Sequence, residues 1–277
     1  MTTLTGLIGY PVSHSKSPRI HAYWSAQHQL DADYKLLTTA PARLRQTMLH
    51  MRKKNVAGLN ITVPHKQAVI EHLDSVDDTA KRIGAVNTVI NKNGKFIGSN
   101  TDAYGFITNL KEALGDLKPY LKNVVILGAG GATRAAIVAL KDAGASNITL
   151  TNRSGEKAQG LADEFHVEHL PWSVRNNLLA EATLLINTTS LGMEGQPELS
   201  IDVSLLPASA AVHDIVYAPL ETELLKSARA RGLKIVDGLG MLLYQAQKAF
   251  ELWHGILPEV TPELRVHVLE PSDEQPE

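Results

Sequence analysis

The sequence predicts an α/β protein of two domains, and three observations carry that expectation. Short apolar runs, often β-branched, alternate with helical patterns along the chain. One of these runs opens into a glycine-rich turn followed by an alanine-rich helix, and a polar hairpin breaks the alternation near residue 94. At 277 residues and 44% hydrophobic composition, the chain can bury a core in each of two ordinary domains.

In the first hundred residues or so the strand candidates are "TGLIGY", "DYKLLT" and "VAGLNITV". Helices are predicted to begin near Ser17-Pro18, Pro41 and Pro64, because proline has a preset φ and no N–H to satisfy in a first helical turn. "AVNTVINKNGKFIGSN" places two alternating runs around Asn93-Gly94, a tight-hairpin signal. A second alternating series starts at "NVVILGAGGATRAA" and continues through "ATLLIN", "AAVHDIVY" and "LKIVDG", so residues of roughly 103 to 237 read as one nucleotide-binding unit. A helix from about Met241 to His254 follows and is expected to pack on the first domain. The acidic, proline-bearing tail after Pro271 reads as mobile.

Composition excludes several function classes. Lys and Arg total 27 against 29 for Asp and Glu, which leaves no electrostatic footprint for nucleic acid or an anionic membrane. There is no cysteine, so disulfides and thiolate chemistry are excluded, and the eleven histidines show no metal-ligand spacing, so no metal is expected. The N-terminus lacks a basic segment followed by a long apolar core, and no apolar run is of bilayer-spanning length. A cytoplasmic protein with a small-molecule partner is the resulting expectation.

In "VVILGAGGATRAA", glycines at 128, 130 and 131 let backbone approach a pyrophosphate, and the first helical turn offers N–H groups to its charge. Gly128, Ala129, Gly130, Gly131 and Ala132 are the candidate contacts; Thr133 stands where a third glycine is usual. Asn152, Arg153 and Ser154 follow at the end of the next strand, where an NAD enzyme often carries an acid for the adenosine ribose. An acid would repel a 2′-phosphate, whereas the Arg153 guanidinium is a fork able to pair with one, so the cofactor predicted is NADP(H). Taken alone, Arg153 also reads as a solvated surface charge.

Four further motifs bear polar groups. "YPVSHSKSP" offers Ser15 and Ser17 beside a helix start, suited to a small carboxylate, although Ser17 before Pro18 also reads as a helix cap. "GLNITVPHK" places Asn60, Thr62 and Lys66 at a strand end; alone, Lys66 reads as a surface lysine. "GAVNT" adds Asn87, and "SNTDAYG" adds Asp102, which by itself reads as a cap. His65 reads as a helix-start residue, and Trp24, Trp172 and Trp253 as packing residues.

In this order, together with the glycine turn, "NRS", "NTTSLGM" and "GLGMLLYQA", these motifs resemble the shikimate dehydrogenase family, NADP-dependent enzymes of aromatic amino-acid biosynthesis, from about residue 4 to about residue 265. In that family the lack of the third glycine, here at Thr133, is usual. The resemblance implies an N-terminal α/β substrate domain (1–102 and 238–277), a Rossmann-type NADP-binding domain (103–237), and C-terminal helices returning to the first domain, with substrate in the cleft between them. It implies Lys66 and Asp102 as the catalytic pair, Ser15 and Ser17 on the substrate carboxylate, and Thr62, Asn87, Asp102 and Gln245 on the ring hydroxyls. Tyr217 is expected at the substrate, and Thr188, Ile215 and Gly238 at the nicotinamide end. The implied reaction is the reversible NADPH-linked reduction of 3-dehydroshikimate to shikimate. Two alternatives stand beside it: a quinate/shikimate dehydrogenase using NAD, and a non-catalytic NADP-binding sensor. No apolar or charged patch isolates an interface, so monomer and homodimer both stay open.

Overall fold

A computed structural model describes residues 2–270, and the tail from Pro271 onward lies outside them. The chain divides into two compact units, Met1–Thr101 with Gln245–Glu277, and Asp102–Tyr244.

The first unit opens with β1 (Thr3–Gly9), α1 (Ser17–Gln27), β2 (Ala32–Thr38), α2 (Leu44–Lys53) and β3 (Gly58–Ile61). β4 (Ser75–Val76), α3 (Asp78–Ile83), β5 (Thr88–Lys92) and β6 (Lys95–Ser99) complete its N-terminal part. The sheet order is β2-β1-β3-β5-β6-β4. β1 runs parallel to β2 and β3, while β5 is antiparallel to both β3 and β6. Asn93 and Gly94 both take positive φ, 55° and 82°, as a two-residue hairpin turn requires. Leu59, Ile61, Val89 and Phe96 form the core together with Met48 and Met51 from α2.

The helix expected at Pro64 is absent. The chain turns and then forms only a 3-10 segment, Ala68–His72. The Lys66 carbonyl, which a helix would offer to Ile70, instead accepts from the Val86 N–H at 2.7 Å, and the Ile70 N–H bonds Gln67 one residue short of the helical partner. At Pro41 a 3-10 turn, Pro41–Arg43, precedes α2.

The second unit contains α4 (Asp102–Leu114), β7 (Asn123–Leu127), α5 (Gly131–Asp142), β8 (Asn147–Thr151), α6 (Gly155–Phe165), β9 (Glu168–His169) and β10 (Leu184–Asn187). β11 (Ala211–Asp214), α7 (Glu223–Ala230) and β12 (Lys234–Val236) follow. Its six strands are all parallel in the order β12-β11-β10-β7-β8-β9, so the order reverses between β7 and β10, the switch point where such sheets bind dinucleotides. Leu127, Leu185, Val212 and Leu225 lie in its core.

α8 (Gly238–His254) starts three residues earlier than Met241, and the chain leaves the second unit within it. α9 (Pro262–Leu269), with Thr261 capping the Leu264 N–H, belongs to the first unit. In that unit the Trp253 indole donates to the Val89 carbonyl at 3.0 Å and lies where a Gly58 side chain would be: a Cβ there would sit 2.0 Å from the indole nitrogen. The Trp24 indole donates to the Glu259 carbonyl at 3.0 Å. Among the described residues no helix is long and apolar enough to cross a membrane.

His21 is buried against these aromatic rings. Its ring lies 4.3 Å from that of Tyr34 and nearly parallel to it, and neither ring nitrogen has a hydrogen-bond partner. Burial pushes its pKa down to about 3, with the neighbouring His254 adding to the shift. The folded state thus resists a proton that the unfolded chain accepts near pH 6.5, so stability is full above that pH and falls as pH drops toward 3. His21→Phe keeps the stack and removes this linkage. The slope of unfolding free energy against pH below 6.5, measured by urea titration, should become shallower by about 1.4 kcal/mol per pH unit; an unchanged slope would contradict the assignment.

Candidate functional site

In the second unit, the glycine turn after β7 is held by a chain of hydroxyl groups. The Gly130 N–H donates to Thr133 Oγ1 at 3.0 Å, and Thr133 Oγ1 lies 2.8 Å from Thr188 Oγ1. The Thr188 hydroxyl donates to the Leu127 carbonyl at 2.8 Å, so Thr133 is the donor in the pair between them. Thr133, buried in the position of the missing glycine, therefore ties the turn to the end of β10. Gly128 has φ 123°, and a Cβ on it would fall 2.4 Å from Thr188 Oγ1, so only glycine fits. A Cβ on Gly130 would meet nothing within 4 Å, and the N-cap residue of α5, Gly130, has no side chain to cover the helix start. Open space before such a helix start suits a pyrophosphate, with Ala129, Gly131 and Ala132 at its rim.

At the end of β8, Asn152 donates to the Ser154 carbonyl at 3.0 Å, and Arg153 and Ser154 are exposed. Asn152, Arg153 and Ser154 thus stand one strand away from the glycine turn. This is the adenosine side of such a fold, and the residues suit a 2′-phosphate.

On the other side of the switch point, Asn187 and Asp214 are register partners at the ends of β10 and β11. The Asn187 amide donates to Asp214 Oδ1 at 2.9 Å and to the Leu191 carbonyl at 3.1 Å, and Asn187 Oδ1 accepts from the Thr189 backbone and hydroxyl. The Val216 N–H reaches Asp214 Oδ1 at 3.0 Å and the Thr222 hydroxyl reaches Oδ2 at 2.7 Å. Burial pushes the Asp214 pKa up to about 6, although the bonds from Thr222, Val216 and Asn187 favour the ion. These bonds fix the loops carrying Thr188, Ile215 and Tyr217. Ile215 and Tyr217 are half-buried, and burial holds the Tyr217 phenol above its ordinary range. A Cβ at Gly238 would sit 2.1 Å from the Ile215 carbonyl oxygen, which explains glycine at the start of α8.

In the first unit, sheet register sets Leu7, Asn60, Thr88 and Ser99 in one row, at the edge where β1 and β3 end, β5 begins and β6 ends. Ser17, in the first turn of α1, is buried rather than capping; its N–H donates to Ser15 Oγ at 3.2 Å. The Ser17 hydroxyl bonds Tyr34, whose phenol burial raises above its ordinary range, and the Tyr34 hydroxyl donates to Asn60 Oδ1 at 2.7 Å. The Asn60 amide donates to the Asn87 carbonyl and to Thr88 Oγ1. Asn87 Oδ1 accepts from the Thr101 N–H at 2.7 Å, and its amide lies 3.5 Å from Gln245 Oε1. Ser15, Ser17, Asn87 and Gln245, spread over 231 positions, are thereby joined in one polar network with Tyr34, Asn60, Thr88 and Thr101. Thr62 stands beside it, half-buried, its N–H bonded to the Ile8 carbonyl at 2.9 Å.

Lys66 is half-buried in the first unit, and Asp102, buried, opens α4 in the second. His65 differs from its expected role. It is buried, and its Nε2 lies 2.6 Å from the Thr39 carbonyl, which fixes it as a donor and pins the segment before Lys66 to the end of β2. Tyr34, Asn187, Asp214 and Thr222 were not singled out from the sequence; a carboxylate ending the apolar run "AAVHD" was the available sign. Among the described residues no acidic or histidine cluster could hold a metal ion.

Comparison with known proteins matches three family models: the shikimate dehydrogenase substrate binding domain over residues 7–89, shikimate / quinate 5-dehydrogenase over 108–193, and the shikimate 5'-dehydrogenase C-terminal domain over 238–262. The chain is 47% identical to a shikimate dehydrogenase (NADP(+)) of Paramagnetospirillum magneticum, across 96% of this chain and 98% of the relative. A crystal structure of shikimate 5-dehydrogenase from Thermus thermophilus in complex with NADP(H) and shikimate is similar at TM-score 0.86 and 38% identity, covering 96% of this chain and 98% of that one. Quinate dehydrogenase from Corynebacterium glutamicum, in complex with NAD, is similar at TM-score 0.90 and 34% identity, covering 97% and 99%.

The first-unit network yields a stability test. Tyr34→Phe retains the ring stack on His21 but leaves Asn60 Oδ1 without its phenol donor, while the Asn60 amide stays committed to Asn87 and Thr88. The expected cost is about 1–3 kcal/mol of unfolding free energy in denaturant titration, and no change would show that this oxygen is otherwise satisfied.

Proposed function

The chain belongs to the shikimate dehydrogenase family, NADP-dependent oxidoreductases acting on a CH–OH group, and on that premise we propose that Lys66 and Asp102 are the catalytic pair for the reversible conversion of 3-dehydroshikimate to shikimate. The supporting observation is the first-unit network of hydroxyl and amide groups. A polyol carboxylate needs donors and acceptors fixed in advance, and Ser15, Ser17, Asn87 and Gln245 supply them, with Thr62 beside them. Each hydroxyl partner left unpaired by a wrong substrate costs roughly 1–3 kcal/mol, which makes the substrate range narrow.

NADPH, when bound, supplies the hydride. The chain's own task is to manage the negative charge that develops on the ring carbonyl oxygen, and to deliver a proton there. The Lys66 ammonium does both: it stabilises the oxyanion and donates a proton to it. Tyr217 takes its place at the substrate.

In the same proposal Gly128 to Ala132 receive the pyrophosphate, Asn152, Arg153 and Ser154 the phosphorylated ribose, and Thr188, Ile215 and Gly238 the nicotinamide end. The Thr188 hydroxyl is committed to Leu127, so its contribution is to hold the turn. Strict NADP and shikimate use is favoured over the quinate/NAD reading by Arg153 at a strand end that carries no acid. A cytoplasmic location is part of the same proposal.

Turnover of shikimate and of quinate, each with NADP⁺ and NAD⁺, followed by absorbance of the reduced nicotinamide, tests the reading; preference for quinate with NAD⁺ would reverse it. Lys66→Ala should lower kcat by about 100-fold or more while NADPH affinity is kept, and an equal loss of cofactor affinity would refute its role. Arg153→Ser should weaken NADP⁺ binding by about 10- to 100-fold, leaving NAD⁺ affinity nearly unchanged.

A further inference from the structure

Asp214 has no part in the NADP reading above, and the role assigned to it here rests on that reading. With the pyrophosphate at the turn after β7 and the adenosine ribose at the end of β8, the nicotinamide half extends across the switch point toward the ends of β10 and β11. There the Asp214 carboxylate is fully buried. Its three donors, from Asn187, Val216 and Thr222, are all neutral. The neighbouring charges do not compensate it. Glu198, Glu221 and Glu223 line the small cavity that reaches Asp214, with Glu221 paired to Arg229 and Glu223 to Lys226 at the surface. His213, the preceding residue, is buried and pushed down to about 3, so it stays neutral. Asp237, after β12, accepts from the N–H groups of Leu239 and Gly240 at the start of α8.

An unanswered negative charge in a poorly screened place acts over several ångströms. The two redox forms of the cofactor differ in the charge of their rings: the oxidised nicotinamide is a cation and the reduced one is neutral. We propose that the buried carboxylate of Asp214 selects between the redox forms of the cofactor, favouring NADP⁺ over NADPH through the charge of the nicotinamide ring. Protonation of Asp214 removes the preference, and the coupling is reciprocal, so bound NADP⁺ holds the carboxylate ionised to lower pH than NADPH does.

The test measures Kd for NADP⁺ and for NADPH on the full chain and on Asp214→Asn, from about pH 5 to about pH 8. Asparagine keeps Oδ1 as acceptor for Val216 and Asn187 and can donate to Thr222. In the wild type, the ratio Kd(NADPH)/Kd(NADP⁺) should rise about three- to tenfold across this range in a one-proton step. In Asp214→Asn it should stay flat at the wild-type low-pH value. Ionisation of the 2′-phosphate is common to both forms and cancels in the ratio, and the charges of Asp237 and the surface glutamates are the same in the wild type and in Asp214→Asn, so they cancel between the two proteins. A variant that weakens both forms equally and leaves the ratio unmoved would make Asp214 a structural residue and overturn the proposal. If the variant does not fold, a flat ratio in the wild type overturns it as well. Failure of the wild type to bind either dinucleotide overturns the NADP reading instead.

Discussion

The hydrogen bond from the Thr188 hydroxyl to the Leu127 carbonyl is the tie on which the dinucleotide side of this chain depends. Through it the end of β10 meets the end of β7, and Thr133 extends it to the Gly130 N–H. A glycine in place of Thr133 would allow closer packing of helix on strand, which is the usual use of that position. This chain fixes the turn with a directional relay of hydroxyl groups instead, and each buried donor in the relay finds its acceptor. The requirement that makes Gly128 a glycine comes from the same tie, since Thr188 fills the space that a side chain would need.

The same constraint shapes the first unit with different residues. Asn60 can offer its carbonyl oxygen only to Tyr34, because its amide is taken up by Asn87 and Thr88, and that orientation makes the Tyr34 oxygen an acceptor for Ser17. From Ser17 through Tyr34 to Asn60 the donors therefore point one way. Two polar clusters, each at the strand ends of its own sheet, thus hold preset donors and acceptors, and each sheet contributes to an apolar core.

Much of this was legible in the sequence where a local signal coincided with a tertiary one. Asn93-Gly94 needs positive φ, and the glycine turn follows an apolar strand, so both appear where expected. Pro64 misled because a helix start was inferred from proline alone, whereas the Lys66 carbonyl is claimed by Val86, a partner no local pattern reveals. α9 carried Thr261-Pro262 in capping order but was hidden by its shortness, and the two-residue β4 and β9 are too brief for periodicity to register. Tyr34 and Asp214 were not readable, since their importance lies in what they bond.

The indole of Trp253 occupies the space beside Gly58, and Trp24 is bonded to Glu259, so residues near the end of the chain complete the interior of the domain that begins it. During synthesis the opening hundred or so residues leave the ribosome with that interior unfinished, and they wait for the entire nucleotide-binding segment before it can close. The nascent first domain is therefore the last to mature, and shortening the chain ahead of Trp253 damages its beginning rather than trimming an appendage.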